Sequence, residues 1–153
     1  MKQNLKLFAP FVPLLIFAII GFAWVMSAGR PLPYKLASKA QLPSFLQGAD
    51  IKVAEAYQFA IANHHELQKY PCMCGCKALG HLSNADCYIK TIPPDGTVTT
   101  FDQHASGCGV CVNITQDVMR MKREGHKPIE IRAYIDAEYR QYGPSTDTPL
   151  PTA

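Results

Sequence analysis

The chain has 153 residues, with fifteen Lys and Arg against twelve Asp and Glu, six cysteines and twelve prolines. That length holds one modest domain beside a targeting segment and excludes a two-domain architecture. Three of the basic residues, Lys2, Lys6 and Arg30, flank a single apolar run, and the remaining basic residues balance the acids. A formally neutral body excludes the basic surface of a nucleic-acid-binding protein, so no nucleic-acid partner is expected.

No charged residue falls between Lys6 and Arg30, and Leu7 to Met26 is almost wholly apolar. A membrane-spanning helix needs ~20 such residues, whereas the core of a cleaved signal usually has about 7–15. Pro10 and Pro13 are tolerated in such a helix. Residues 1–29 are therefore expected to form an N-terminal transmembrane anchor. Cleavage at the small-residue site near Val25 and Ser27 is the alternative, and it would make the body secreted. Lys2 and Lys6 should remain cytoplasmic. The expected protein is thus single-pass in the cell membrane, with an extracytoplasmic body that faces an oxidising compartment if the source is bacterial.

Residues 30–48 read as a Pro-rich linker, with Pro31, Pro33 and Pro43 interrupting regular structure. Residues 49–142 form the expected Cys-rich domain. Residues 143–153, with three prolines and four Ser or Thr, read as a disordered tail. Within the domain, Asp50 can cap a first helix whose Val53, Ala56, Tyr57, Ala60 and Ile61 recur at helical spacing. That helix should fray over 63–67, because Pro71 imposes an extended approach to the cysteines that follow. Gly80 to Asn84 suits a turn or short helical piece, with Ser83 or Asn84 as cap. Two weakly alternating runs, 88–92 and 97–101, flank Pro94-Asp95-Gly96 and predict a short hairpin. A second helix is expected over 110–124, with Ile114, Val118 and Met121 on one stripe and Gly125 as its stop. Pro128 suits the first turn of a last helix reaching about Tyr142. The fold class is mostly α: a small Cys-rich helical domain with a short β-hairpin, preceded by one transmembrane helix.

The chemistry concentrates in Cys72-Met73-Cys74-Gly75-Cys76. A disulfide wants Cα atoms about 4.4–6.8 Å apart, which a one-residue spacer meets only with strain, so these sulfurs should look to other partners. Those partners are Cys87, Cys108 and Cys111, or a soft metal ion. The first outcome is a framework of three disulfides, each worth about 2–4 kcal/mol, around a non-catalytic interaction module. The second is a metal site of Cys72, Cys74, Cys76, Cys87, Cys108 and Cys111, with His81 and His104 as imidazole candidates from the cysteine-bearing loops. Thiolates with imidazoles favour Cu(I) or Zn(II), and closely spaced sulfurs suit Cu(I), since it needs no ideal tetrahedron. A third reading takes Cys108 and Cys111 as a redox dithiol at a helix N-terminus, although no thioredoxin-like βαβ pattern surrounds them. Of His64 and His65, at most one can face a shared site. His126 follows a helix stop, where capping or solvation is expected. Met73, Met119 and Met121 suit packing. Glu66, Asp86 and Asp102 are candidates to fix a histidine tautomer.

From Ala54 to Tyr139 the chain resembles a bacterial exported family named for a Pro-Cys-Tyr-Cys-Gly-Cys motif. The matching residues are Ala56-Tyr57, Phe59-Ala60, Tyr70 to Cys76, Gly80-His81, Asp86-Cys87, His104, Cys108 and Cys111, then Gly125, Ile129 to Ile131 and Ile135 to Tyr139. Met73 stands where the family name has tyrosine, and all three sulfurs are kept. The resemblance implies a domain and an exported location, with no activity attached. Ligand chemistry adds the expectation of a non-enzymatic, membrane-tethered copper-binding, delivery or sequestration protein, with zinc as alternative cofactor. Its partners would be the membrane and a metal-donor or metal-acceptor protein.

Overall fold

Asp50 opens the first helix by accepting the Lys52 backbone N–H on Oδ1 at 2.7 Å, and α1 runs Ile51–Ala62. The computed structural model describes residues 31–92 and 94–152. The expected transmembrane segment lies outside the described residues, and no helix among those described is long and apolar enough to cross a membrane. All elements below belong to the unit that starts at Pro33.

The Asn63 N–H donates to the Phe59 carbonyl and ends α1, after which one further turn, α2 (His64–Leu67), leads into the extended approach at Pro71. Two short 3-10 turns follow, Cys76–Leu79 and Asn84–Cys87. The hairpin forms as expected but shorter: β1 (Ile89–Thr91) pairs antiparallel with β2 (Thr100–Phe101), Ile89 opposite Phe101 and Thr91 opposite Thr100. Its turn is held where Asp95 Oδ1 accepts the Thr97 N–H at 2.9 Å. Helix α3 (His104–Gly107) precedes α4 (Gly109–Glu124), the longest element among the described residues. Gly125, at φ +87°, stops α4: its N–H reaches the Lys122 carbonyl and that of His126 reaches Met121. Helix α5 (Pro128–Tyr139) begins at its proline and ends three residues before the expected Tyr142, where the Tyr142 N–H turns back onto the Tyr139 carbonyl.

Helix α4 is the spine. It packs against α1, α3, α5 and the Asn84–Cys87 turn. Its apolar face buries Ile114, Val118 and Met119 completely, against Tyr57 and Phe59 of α1 and Ile131 and Ile135 of α5. Met73 and Met121 are buried packing residues, as expected. Glu66 of α2 adds a polar tie, accepting from Lys69 at 2.9 Å, Tyr70 at 2.7 Å and Lys122 of α4 at 3.2 Å. These donors hold its carboxyl below the usual range although burial opposes them.

Both flanking segments depart from the sequence reading. The expected linker docks on α1: Tyr34, Ala37 and Leu46 are buried, the Ala37 N–H donates to the Gln58 carbonyl, and Gln58 Nε2 donates back to the Ala37 carbonyl at 2.6 Å. Tyr34 also sets its ring edge-on to Phe59, with centroids 5.0 Å apart. The expected disordered tail is likewise ordered. Thr146 and Thr148 are 2% and 5% exposed, and Arg132 Nη1 donates to the carbonyls of Thr148 and Pro149 at 3.0 Å each. Proline-rich composition removes periodicity, which disorder and an extended docked strap lack equally.

Candidate metal centre

Three features of the chain shape the cysteine motif. Pro71 keeps the entry extended, and Thr146 grips Cys72 from both sides of its backbone. The Cys72 N–H donates to Thr146 Oγ1, and the Thr146 N–H donates to the Cys72 carbonyl, both at 3.0 Å. Gly75, at φ +83°, then reverses the chain into the Cys76–Leu79 turn, a backbone conformation that L side chains rarely adopt. Gly143 of the strap passes over this reversal so closely that a Cβ there would stand 3.2 Å from the Gly75 nitrogen and the Met73 carbonyl oxygen.

The reversal turns Cys72, Cys74 and Cys76 toward the N-terminus of α4. Cys72 Sγ lies 3.2 Å from Cys111 Sγ and 3.4 Å from the sulfurs of Cys74 and Cys76, and Cys74 Sγ lies 3.5 Å from Cys111 Sγ. His104 Nε2 stands 3.1 Å from Cys76 Sγ and 3.4 Å from Cys74 Sγ. On the far side, Cys87 Sγ is 3.7 Å from Cys76 Sγ and 3.4 Å from His81 Nδ1. Cys108 joins through a set with Cys74, His104 and Cys111 whose ligand atoms all lie within 4.8 Å of one another. The hairpin makes this convergence geometric: Cys87 precedes β1 and His104 follows β2, and the pairing of the two strands brings both to one edge. Cys72, Cys87 and Cys111 are fully buried, while Cys74, Cys108, His81 and His104 are half-buried and form the rim.

The turn at Gly75 brings Cys74 and Cys76 close together, with Cα atoms 5.6 Å apart. Cys72, Cys87, Cys108 and Cys111 are free thiols, so the expected framework of three disulfides is not formed. Joined, the Cys74–Cys76 pair withholds two donors from a metal; reduced, it presents both.

Protons are shared unevenly in this sulfur cluster. Hydrogen bonding from Cys111, and then from Cys87, draws the Cys72 thiol down to about 3 against the effect of burial. The same contact with Cys72, followed by Cys87 and burial, pushes the Cys111 thiol up. For Cys87, Cys111 pulls downward, but Cys72 and burial outweigh it and the thiol is raised.

The acids expected to orient histidines have other tasks. Asp86 Oδ2 accepts the N–H groups of Leu82 and Ser83, Asp102 Oδ1 accepts the His104 N–H at 2.7 Å, and Glu66 serves the tie to α4. His126 is exposed between Glu124 and Glu130. Neither His64 nor His65 enters a ligand set. His64 is only 7% exposed, packs its ring 4.0 Å from that of His65, and has no hydrogen bond at either ring nitrogen. Burial, with the neighbouring His65 charge, lowers its pKa. Stability from the neutral ring should therefore be complete above about pH 6.5, the unfolded value, and be lost as pH falls through the lower folded value. Urea midpoints of the wild type are expected to drop between pH 7.5 and pH 5.5, and His64→Leu should flatten that dependence.

Sequence reading missed the polar network that seats Cys111. Its carbonyl accepts from Tyr88 Oη at 2.9 Å and Asn84 Nδ2 at 3.3 Å, and Thr115 Oγ1 donates to Asn84 Oδ1 at 2.7 Å. Asn84, Tyr88 and Thr115 are fully buried. A signal existed: Thr115 follows Cys111 by four residues and so shares its apolar face, where a hydroxyl needs a partner.

A small helical domain that gathers cysteine sulfurs and imidazole nitrogens at the end of its central helix defines a Cys/His-cluster protein able to hold a metal ion. The chain belongs to the family described as "Protein of unknown function with PCYCGC motif", whose model matches residues 28–151. The match takes in the docked N-terminal segment and the strap as well as the cysteines. No curated protein and no solved structure matches the chain.

Proposed function

We propose that this is a non-enzymatic, membrane-tethered extracytoplasmic protein that binds Cu(I) for delivery or sequestration. The observation that carries the reading is the convergence of Cys72, Cys74, Cys76 and Cys111, with ligand atoms within 4.8 Å of one another, beside the His104 imidazole. Sulfur donors in this number are soft, and soft donors select Cu(I) or Zn(II) over magnesium or calcium. Zinc takes four ligands in a tetrahedron, whereas Cu(I) is satisfied by about two or three sulfurs and suits a set whose members differ in exposure. The apolar run of residues 7–26 supports the tether, and the charges before it support the outward body. Half-buried Cys74, Cys108, His81 and His104 offer an edge at which a donor or acceptor protein's thiol or imidazole displaces one ligand at a time.

Anaerobic titration of the reduced full chain in detergent, against a chromophoric chelator, tests this reading. Cu(I) should be retained in at least stoichiometric amount and more tightly than Zn(II), and Cys74→Ser should weaken retention. A reduced, folded chain that leaves Cu(I) with the chelator would end the copper reading.

A further inference from the structure

We propose that the centre is polynuclear: it holds more than one soft metal ion at once, with the Cys76 and Cys111 thiolates as the sulfurs the ions share. The inference rests on the metal-binding reading above and concerns how that site is filled.

Three four-residue ligand sets overlap here: Cys72, Cys74, Cys76 and Cys111; Cys74, His104, Cys108 and Cys111; and Cys76, Cys87, His104 and Cys111. Together they use all six cysteines and His104, more donors than a single ion of either candidate metal accepts. The surplus is not idle packing at the periphery. Cys87 is fully buried, yet its sulfur faces Cys76 Sγ at 3.7 Å and His81 Nδ1 at 3.4 Å, so it continues the donor array. A lone buried cysteine packs against carbon, whereas this one packs against ligands.

The chemistry of the donors selects which sets fill together. A thiolate sulfur has lone pairs enough to bridge two ions, whereas the single lone pair on imidazole Nε2 serves one. The second and third sets both need His104, so they cannot both be occupied with it as ligand. The first set excludes His104 and combines with either. His104 Nε2 is nearer Cys76 than Cys74, at 3.1 Å against 3.4 Å. The third set is also the more enclosed, with Cys76, Cys87 and Cys111 all buried. The favoured filling has one ion drawing its ligands from Cys72, Cys74, Cys76 and Cys111 and a second drawing its ligands from Cys76, Cys87, His104 and Cys111. Starting from the reduced chain, each thiol that becomes a ligand releases one proton, and metal loading itself transfers no electron. Cys108 is left at the rim, free to exchange ligands with a partner.

Native mass spectrometry of the full chain, kept reduced by a phosphine and saturated with Cu(I) without oxygen, counts the ions directly. X-ray absorption at the copper edge reports whether they are neighbours. The expected result is more than one Cu(I) per chain with a short metal–metal scattering path. Cys87→Ser and Cys87→Ala should each hold one ion fewer, and Cys108→Ser should keep the wild-type number. Saturation of the wild type at a single ion overturns the inference and leaves the metal-binding function standing, an outcome that needs no variant to fold. An ion lost from Cys108→Ser and kept in both Cys87 variants overturns the assignment to Cys76, Cys87 and His104. Failure of the wild type to bind any copper defeats the function itself.

Discussion

Cys111→Ser is expected to weaken Cu(I) retention by more than ~100-fold, a larger loss than Cys108→Ser produces, as read by chelator competition on the reduced chain. The ranking follows from place. Cys111 belongs to every ligand set, while Cys108 belongs to one and sits at the rim. Burial adds to the difference, because no water can replace the sulfur in a position that is fully enclosed. Removing groups that merely orient a metal ligand typically costs about 10–100-fold in affinity, and removing a shared ligand should exceed that range. Tyr88→Phe is the companion measurement. It deletes a hydroxyl that lies 2.9 Å from the Cys111 carbonyl and 2.8 Å from Thr115 Oγ1, with no change in ligand identity, so a loss of about 10–100-fold is expected. Equal effects of Cys111→Ser and Cys108→Ser would contradict a centre built around Cys111.

Removal of residues 143–153 is expected to lower folding stability by about 2–5 kcal/mol in urea unfolding, because the strap supplies hydrogen bonds that nothing else replaces. Without it the Cys72 N–H and carbonyl lose Thr146, and Lys77 loses Asp147. Arg132, only 8% exposed, loses the carbonyls of Thr148 and Pro149 and keeps Asp136 alone. The exposed Lys77–Asp147 pair should contribute little; the buried groups left unpaired carry most of the cost. Thr146→Val separates strap from site more finely. It keeps the shape and strands one buried N–H at Cys72, for an expected loss of about 1–3 kcal/mol. A truncated chain with an unchanged urea midpoint would show that the strap does not hold the motif.

Much of the helical frame was legible because its cues are local. Asp50 before an apolar stripe, Gly125 after one and Pro128 at a helix start each act within a single turn of chain, and each works in the fold as chemistry along the sequence suggests. The hairpin was legible for the same reason, through Pro94-Asp95-Gly96 between two short alternating runs. The flanks were misread because their order is borrowed from elsewhere. Tyr34 is ordered by Phe59, and Thr146 by Cys72, which lies 74 residues away along the chain. Proline-rich stretches without periodicity carry no local mark of such distant partners.

For the site, the list of donors was readable from residue type alone, since sulfur and imidazole are soft wherever they stand and no folding is needed to recognise them. Which donors meet, and which sulfurs pair, was not. The left-handed turn at Gly75 brings Cys74 to Cys76, the strand pairing brings Cys87 and His104 to one edge, and Asn84 with Tyr88 seats Cys111 beneath them. Identity of ligand atoms is a property of single residues, whereas their separation depends on backbone paths joined by hydrogen bonds between residues far apart in the chain. Composition and motif thus determined the chemistry available to this protein, and only tertiary structure decided that Cys111 stands at its centre.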